Sequence, residues 1–163
     1  MAQLVYSKDP AIAIQGQIAE PMGPMRIMSG IAEAKIGVGL PVKRVSDKVV
    51  AAGDGADFYG FTVLQDYLES KPTGVIDADT GEIETEVAFA AKQQCGVMVE
   101  GTIFVVAGED LSGEALGTEL FAASGKVMAS GGTPGLNRIF LEEVPAGAAD
   151  TLVKVRLAGP QGA

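Results

Sequence analysis

CGVMVEGTIFVVAGEDLSGEALGTELFAASGKVMAS, residues 95–130, is the stretch that decides the fold class. Val97, Val99, Gly101, Ile103 and Val105 alternate onto one face of an extended segment, while Met98, Thr102, Phe104 and Val106 on the other face are also largely apolar. Such a strand needs cover on both sides. A polar, glycine-punctuated link over 108–117 leads into Leu120-Phe121-Ala122-Ala123, and Ser124-Gly125-Lys126 turns the chain back into Val127-Met128. Strand, loop, strand, tight turn and strand is the grammar of a barrel or a sandwich.

The same pattern extends in both directions. Ala11-Ile12-Ala13-Ile14-Gln15 is a short extended run, Pro21, Gly23 and Pro24 break the chain before Arg26-Ile27-Met28-Ser29, and Leu40–Val45 with Lys48–Ala52 reads as a hairpin around Ser46-Asp47. Asp54-Gly55-Ala56-Asp57 turns the chain into a further strand over Phe58–Leu64. Glu69 to Glu86 is polar and carries the turn residues Pro72-Thr73-Gly74 and Asp79-Thr80-Gly81, so it reads as a mobile surface excursion. A second loop covers Ser130–Asn137, and Ile139–Val144 and Leu152–Leu157 close the chain as strands separated by Pro145-Ala146-Gly147. Helix is least excluded over Val87–Gln94. With 22 glycines and 8 prolines in 163 residues and no long 3.6-residue apolar period, the expectation is a mainly β chain, a small β-barrel or β-sandwich. Residues 1–15 form an extended N-terminal arm, residues 16–158 the single β-rich domain, and residues 159–163 a frayed tail.

The residues missing from the chain narrow its chemistry. There is no histidine, which removes Ser-His-Asp and Cys-His nucleophilic sites, most catalytic zinc sites and the commonest general base near neutral pH. The single cysteine, Cys95, cannot form an intrachain disulfide and sits beside an apolar strand, where a buried thiol is expected. Carboxylate pairs remain at Asp54 and Asp57, Asp77 and Asp79, and Glu142 and Glu143. With no tryptophan and 6% aromatics there is little to stack a sugar against them. Gly37-Val38-Gly39-Leu40-Pro41-Val42 begins like a dinucleotide loop, but Pro41 stands where its helix would start, and Ser124-Gly125-Lys126 has Leu120 where a phosphate loop needs glycine. Asp77-Ala78-Asp79-Thr80-Gly81-Glu82 lacks the ligand spacing of a calcium loop and reads as a polar hairpin tip. No cofactor and no metal are expected.

Twelve basic against 21 acidic residues, net −9, repel a phosphate backbone, and Lys43-Arg44 is the one basic pair. Nucleic acid is therefore discounted as a partner. MAQLVYSKDP shows no basic start before an apolar run, and no stretch reaches the length of an apolar membrane span, so synthesis in the cytosol without a membrane partner is expected. Two apolar groupings then stand out as contact candidates: Leu4, Val5, Tyr6, Ile12 and Ile14 in the arm, and the methionines Met22, Met25 and Met28, whose soft side chains suit adaptable interfaces. Each has a plainer reading, as an edge of the chain's own barrel or as gap-filling in its core.

Four short motifs in order give the chain a family likeness: Asp9-Pro10-Ala11-Ile12-Ala13-Ile14-Gln15-Gly16, Gly39-Leu40-Pro41-Val42, Asp57-Phe58-Tyr59-Gly60-Phe61-Thr62, and Gly96-Val97-Met98-Val99-Glu100-Gly101 leading to the Gly-Glu-Asp and Ser-Gly-Lys segments. In that order the chain resembles the structural cement, or capsid decoration, proteins of tailed bacteriophages. The resemblance implies a non-enzymatic structural virion protein, made in the host cytoplasm, that sits on the outer surface of the head. There it would bridge major capsid protein subunits and stabilise the expanded capsid. It also implies self-association, as a trimer or dimer at the symmetry axes of the head, with Leu4, Val5, Tyr6, Ile12, Ile14, Met22, Met25 and Met28 as capsid or subunit contacts. Two other readings stand beside it: a β-rich binding module of another virion part, of fibre or adhesin type, and a carboxylate-dependent hydrolase.

Overall fold

The computed structural model describes residues 15–20, 23–65, 68, 71–76, 78, 81, 83–143 and 149–159. Its strands are β1 (Arg26–Ala32), β2 (Ile36–Gly37), β3 (Pro41–Arg44), β4 (Val49–Ala52), β5 (Gly60–Thr62), β6 (Lys71–Ile76) and β7 (Ile83–Glu86). They continue as β8 (Ala88–Phe89), β9 (Gln94–Val106), β10 (Glu119–Ala123), β11 (Lys126–Met128), β12 (Ile139–Glu143) and β13 (Leu152–Ala158). Among the described residues the helical content is one 3-10 turn, Gly55–Asp57. The mainly β expectation therefore holds.

β9 organises the rest. Its valines and isoleucine favour a pleated backbone, and its 13 residues are long enough to serve two groups of strands in succession. The first half pairs antiparallel with β1, from Ile27↔Met98 to Ile31↔Gln94, and with β5 through Phe61↔Met98. β5 continues through β3 and β4 back to β1, so the strands β1-β4-β3-β5-β9 form a closed circuit of pairings. The second half pairs antiparallel with β13, from Ala158↔Glu100 to Leu152↔Val106, and the sheet runs on through β12, β10 and β11. Ala107, just beyond β9, bridges Val127 of β11 and brings that group back to its start.

Each group encloses its own core. Ala32, Ile36, Val38, Val42, Val50, Phe89, Cys95, Val97 and Val99 pack together in the first. Phe61, Met98, Ile103, Val105, Leu120, Ile139, Leu141, Val153, Val155 and Leu157 lead the second. This corrects the face assignment made from alternation alone, which placed Val97, Val99, Ile103 and Val105 on one side. Opposite β1, Arg26 pairs with Glu100 but Ile27 with Met98, so β9 carries one extra residue there, a β-bulge. Gly101 follows at φ 129°, a backbone state that side-chain-bearing residues rarely adopt. Bulge and glycine together redirect the odd-numbered side chains from the first core into the second.

Two further segments are paired. The segment over 69–86, read as a polar surface excursion with a hairpin tip over 77–82, contains the hairpin β6–β7, which pairs Lys71↔Glu86 and Ile76↔Ile83 with a register shift between Pro72 and Ile76; residues 77, 79, 80 and 82 lie outside the described residues. Val75, Ile76 and Ile83 supply strand formers between the turn signals, and Pro72 is tolerated because, among the described residues, no third strand joins this sheet. Over 87–94 there is no helix. Ala88 and Phe89 pair with Gly37 and Ile36, and Phe89 is fully buried in the first core. By contrast the β10–β11 turn is as read: Ser124 and Gly125 have φ of 50° and 78°, the two positive torsions that a two-residue hairpin needs.

Residues 15–20 tie the chain's entry to β9. Gly16 N donates to Phe104 O at 2.8 Å, Phe104 N to Gln17 O at 3.1 Å and Ala19 N to Thr102 O at 2.9 Å, while Ile18 bridges Ile103. Glu20 adds an ion pair to Lys154 of β13 at 2.8 Å.

Candidate functional site

Two of the catalytic candidates, Asp54 and Glu142, make structural contacts. Asp54 accepts a hydrogen bond from Ser124 N at 2.7 Å, which ties the 3-10 turn to the β10–β11 hairpin, and Asp57 follows it in that turn, exposed. Glu142 and Glu143 sit at a register shift of β12 against β13, where Leu141 pairs with Val155 and Glu143 with Lys154, and Glu142 is engaged by Arg156 Nε at 2.8 Å. Asp77 and Asp79 lie outside the described residues. Among the described residues no group of three or more acidic or cysteine side chains could hold a metal ion. Cys95 is buried, and burial pushes its thiol up from the ordinary value, away from the thiolate form that nucleophilic or redox chemistry needs.

The two loop motifs are structural as well. In the Gly37–Val42 segment, Thr62 Oγ1 donates to Gly37 O at 2.7 Å and accepts from Leu40 N at 3.1 Å, filling the space with protein. Lys126 of the Ser-Gly-Lys turn pairs with Asp150. Elsewhere, acidic side chains hold loops in place. Glu109 accepts from Ala129 N at 2.5 Å, Ser130 N at 2.9 Å and Ser130 Oγ at 2.8 Å, which pins the start of the 130–137 loop. The Ser130 contacts hold its carboxyl below the usual range.

An apolar surface remains, and it lies on β1. Met25, Ile27, Met28 and Ile31 are 43, 38, 38 and 38% exposed, and Arg26 to Ser29 are exposed in succession. For Ile27 and Met28 the cause is local pairing. β4 runs parallel to β1 only at Ile31 and Ala32, so from Arg26 to Gly30 the strand has β9 on one side and, among the described residues, no strand on the other. An open edge carrying apolar side chains is a ready template for another chain. Met25 and Met28, singled out from sequence, are thus brought together here. Leu4, Val5, Tyr6, Ile12, Ile14 and Met22 lie outside the described residues. Sequence reading missed Ile27 and Ile31, which lie with Met28 on β1.

Beside β1 the surface is basic. Ser29, Gly30, Ile31, Lys48, Lys92 and Gln94 line an open cleft of about 340 Å³. Neither Lys48 nor Lys92 has an ion-pair partner among the described residues, whereas Lys35, Arg44, Lys126, Lys154 and Arg156 all do.

Comparison with known proteins adds two matches. The sequence profile of the family described as "Structural cement protein (E217 gp24/Pam3 gp6)" matches residues 2–158. A chain of the solved structure "The capsid of Myoviridae Phage XM1" superposes with a TM-score of 0.59 at 15% sequence identity, with 96% of each chain covered, which is a likeness of fold. No curated protein matches the chain.

Proposed function

This chain belongs to the structural cement protein family, and from that membership we infer how it works as a structural, non-enzymatic component of a tailed-phage head. It binds the outer surface of the capsid and bridges neighbouring major capsid protein subunits. The observation that carries the placement of the contact is the open β1 edge, where Met25, Ile27 and Met28 stay in water although both cores are filled. A strand with its backbone half-paired and its apolar side chains exposed is stabilised by docking, through main-chain hydrogen bonds and burial of roughly 25 cal/mol per Å² of apolar surface.

The arm belongs to the same contact. Leu4, Val5, Tyr6, Ile12 and Ile14 precede the anchor at 15–20, where the chain is bound across β9, so an arm docked on the capsid would transmit its hold directly to the strand that joins both cores. Several such contacts, repeated by a small homo-oligomer over adjacent capsid subunits, multiply modest affinities through effective concentration. The two circuits sharing β9 suit this mechanical task, because pulling on either group loads a strand paired on both edges.

Binding to purified, undecorated expanded heads tests the reading. Met25→Asp/Met28→Asp protein should keep the wild-type melting temperature within a few degrees, since both sites are exposed, yet fail to co-sediment with heads. Deleting residues 1–10 should likewise spare the β body and lower occupancy. Full occupancy by both variants would reject the docking surface.

A further inference from the structure

The open edge of β1 ends between two lysines. On the β4 side Ile31 N donates to Lys48 O at 2.7 Å; on the β9 side Lys92 N donates to Ala32 O at 2.7 Å, and Ala32 N to Gln93 O at 2.9 Å. Both lysine backbones are thus fixed to the end of β1, and both side chains are exposed and line one cleft with Ser29, Gly30 and Ile31. Among the described residues no carboxylate lines that cleft. The acidic residues nearest in the chain face elsewhere. Asp47 pairs with Arg44 Nη2 at 3.2 Å, and Glu33 lines a separate cleft with Lys43, Arg44 and Asp57. A chain of net −9 therefore sets an uncompensated positive site beside its one open apolar strand among the described residues.

Strand alternation sets how a partner would meet this site. Ile31 N and Glu33 N donate to Lys48 O and Val50 O, so Ile27 and Ser29, two and four residues before Ile31, turn their N–H and C=O groups to the same side, which is open. A strand added there runs in line with β4 and meets Lys48 where β4 begins. Given the capsid contact through β1 inferred above, on which this rests, we propose that the segment of the major capsid protein received by β1 is an extended acidic one, its carboxylates pairing with Lys48 and Lys92. Main-chain bonds and apolar burial accept any extended apolar segment, whereas two fixed cations favour an acidic one and repel a basic one. Lysines at a strand edge also oppose pairing of β1 with the β1 of a second copy, because that brings like charges together.

Co-sedimentation of the full chain with undecorated expanded heads, repeated across salt, tests this. Wild-type binding should weaken between about 0.05 M and about 0.5 M salt, since screening shortens the reach of exposed charges. Lys48→Glu/Lys92→Glu protein should need about tenfold or more protein for half-occupancy at the lower salt. Its binding should then tighten as salt rises, because screening relieves the repulsion, a reversal of sign that a loss of fold would not produce. Lys48→Arg/Lys92→Arg protein should bind as wild type does, and both variants should keep the wild-type circular dichroism. On decorated heads a carbodiimide, which condenses an amine with a carboxylate, should join Lys48 or Lys92 to an acidic residue of the major capsid protein. Wild-type occupancy by Lys48→Glu/Lys92→Glu protein at every salt would overturn the proposal and leave the β1 contact standing, because Met25→Asp/Met28→Asp protein tests that contact separately. Self-association of the wild-type chain without heads, abolished by reversing the two lysines, would give the cleft to a second copy and overturn it as well.

Discussion

Replacing Gly101 by alanine probes the feature on which the fold turns. Gly101 sits in β9 at φ 129°, just past the bulge at Val99, where the strand passes from one core to the other. A side chain there meets two obstacles. The torsion itself costs about 1–3 kcal/mol for a residue that carries a Cβ. The added Cβ would also stand 2.9 Å from Met25 Cβ and 3.2 Å from Met98 Sδ, the latter fully buried, so at least one methionine must move. Overpacking of that kind adds about 1 kcal/mol or more. The expected loss is about 2–4 kcal/mol, which for a chain of this size lowers Tm by roughly 5–15 °C. Gly131→Ala is the matched control, because Gly131 has φ 81° with nothing within 4 Å of the added Cβ, so it carries backbone strain alone. Thermal melting followed by circular dichroism compares the two. If Gly101→Ala melts no lower than Gly131→Ala, the account of β9 as a strand redirected by its glycine is wrong.

Acid should loosen the loop over 130–137 early. The Glu109 carboxyl is held below its ordinary value by Ser130 and Ala129, so its stabilisation is complete above about pH 4.5 and is lost as pH falls through the lowered folded value. Glu109→Gln should therefore reduce stability at neutral pH only slightly, by well under about 1 kcal/mol after solvent screening, and flatten the acid limb of a pH–stability curve; an unchanged limb would contradict the assigned hydrogen bonds. Cys95, buried with its thiol pushed up, should resist a thiol reagent in the native protein and react once unfolded, as absorbance of the released chromophore would show. Leu141→Ala, which empties a fully buried site in the second core, should cost about 2–5 kcal/mol in denaturant unfolding.

Local chemistry was legible in the sequence, and pairing between distant segments was not. Ser124-Gly125 announces its hairpin because both torsions are set by neighbouring residues, and the β3–β4 hairpin and the β12–β13 pair follow from alternation between turns. The parallel contact of β1 with β4 and the pairing of Ala88-Phe89 with Ile36-Gly37 join segments with no local signal of each other. The alternation in β9 was read correctly but assigned to one face, because a bulge shows only against its partner strand. At the contact surface Met25 and Met28 could be found from composition. Ile27 could not, since an isoleucine in a strand is ordinarily core and it is the lack, among the described residues, of a second neighbour along Arg26–Gly30 that leaves it exposed.

The central claim, that this chain is a cement protein on the outside of a tailed-phage head, is tested most directly by cryo-electron microscopy of purified virions that carry it. The account predicts density on the outer shell that fits the two strand groups joined by β9, with the β1 side against the major capsid protein. A well-resolved head without that density outside its shell, or with β1 facing solvent and unoccupied, would contradict it.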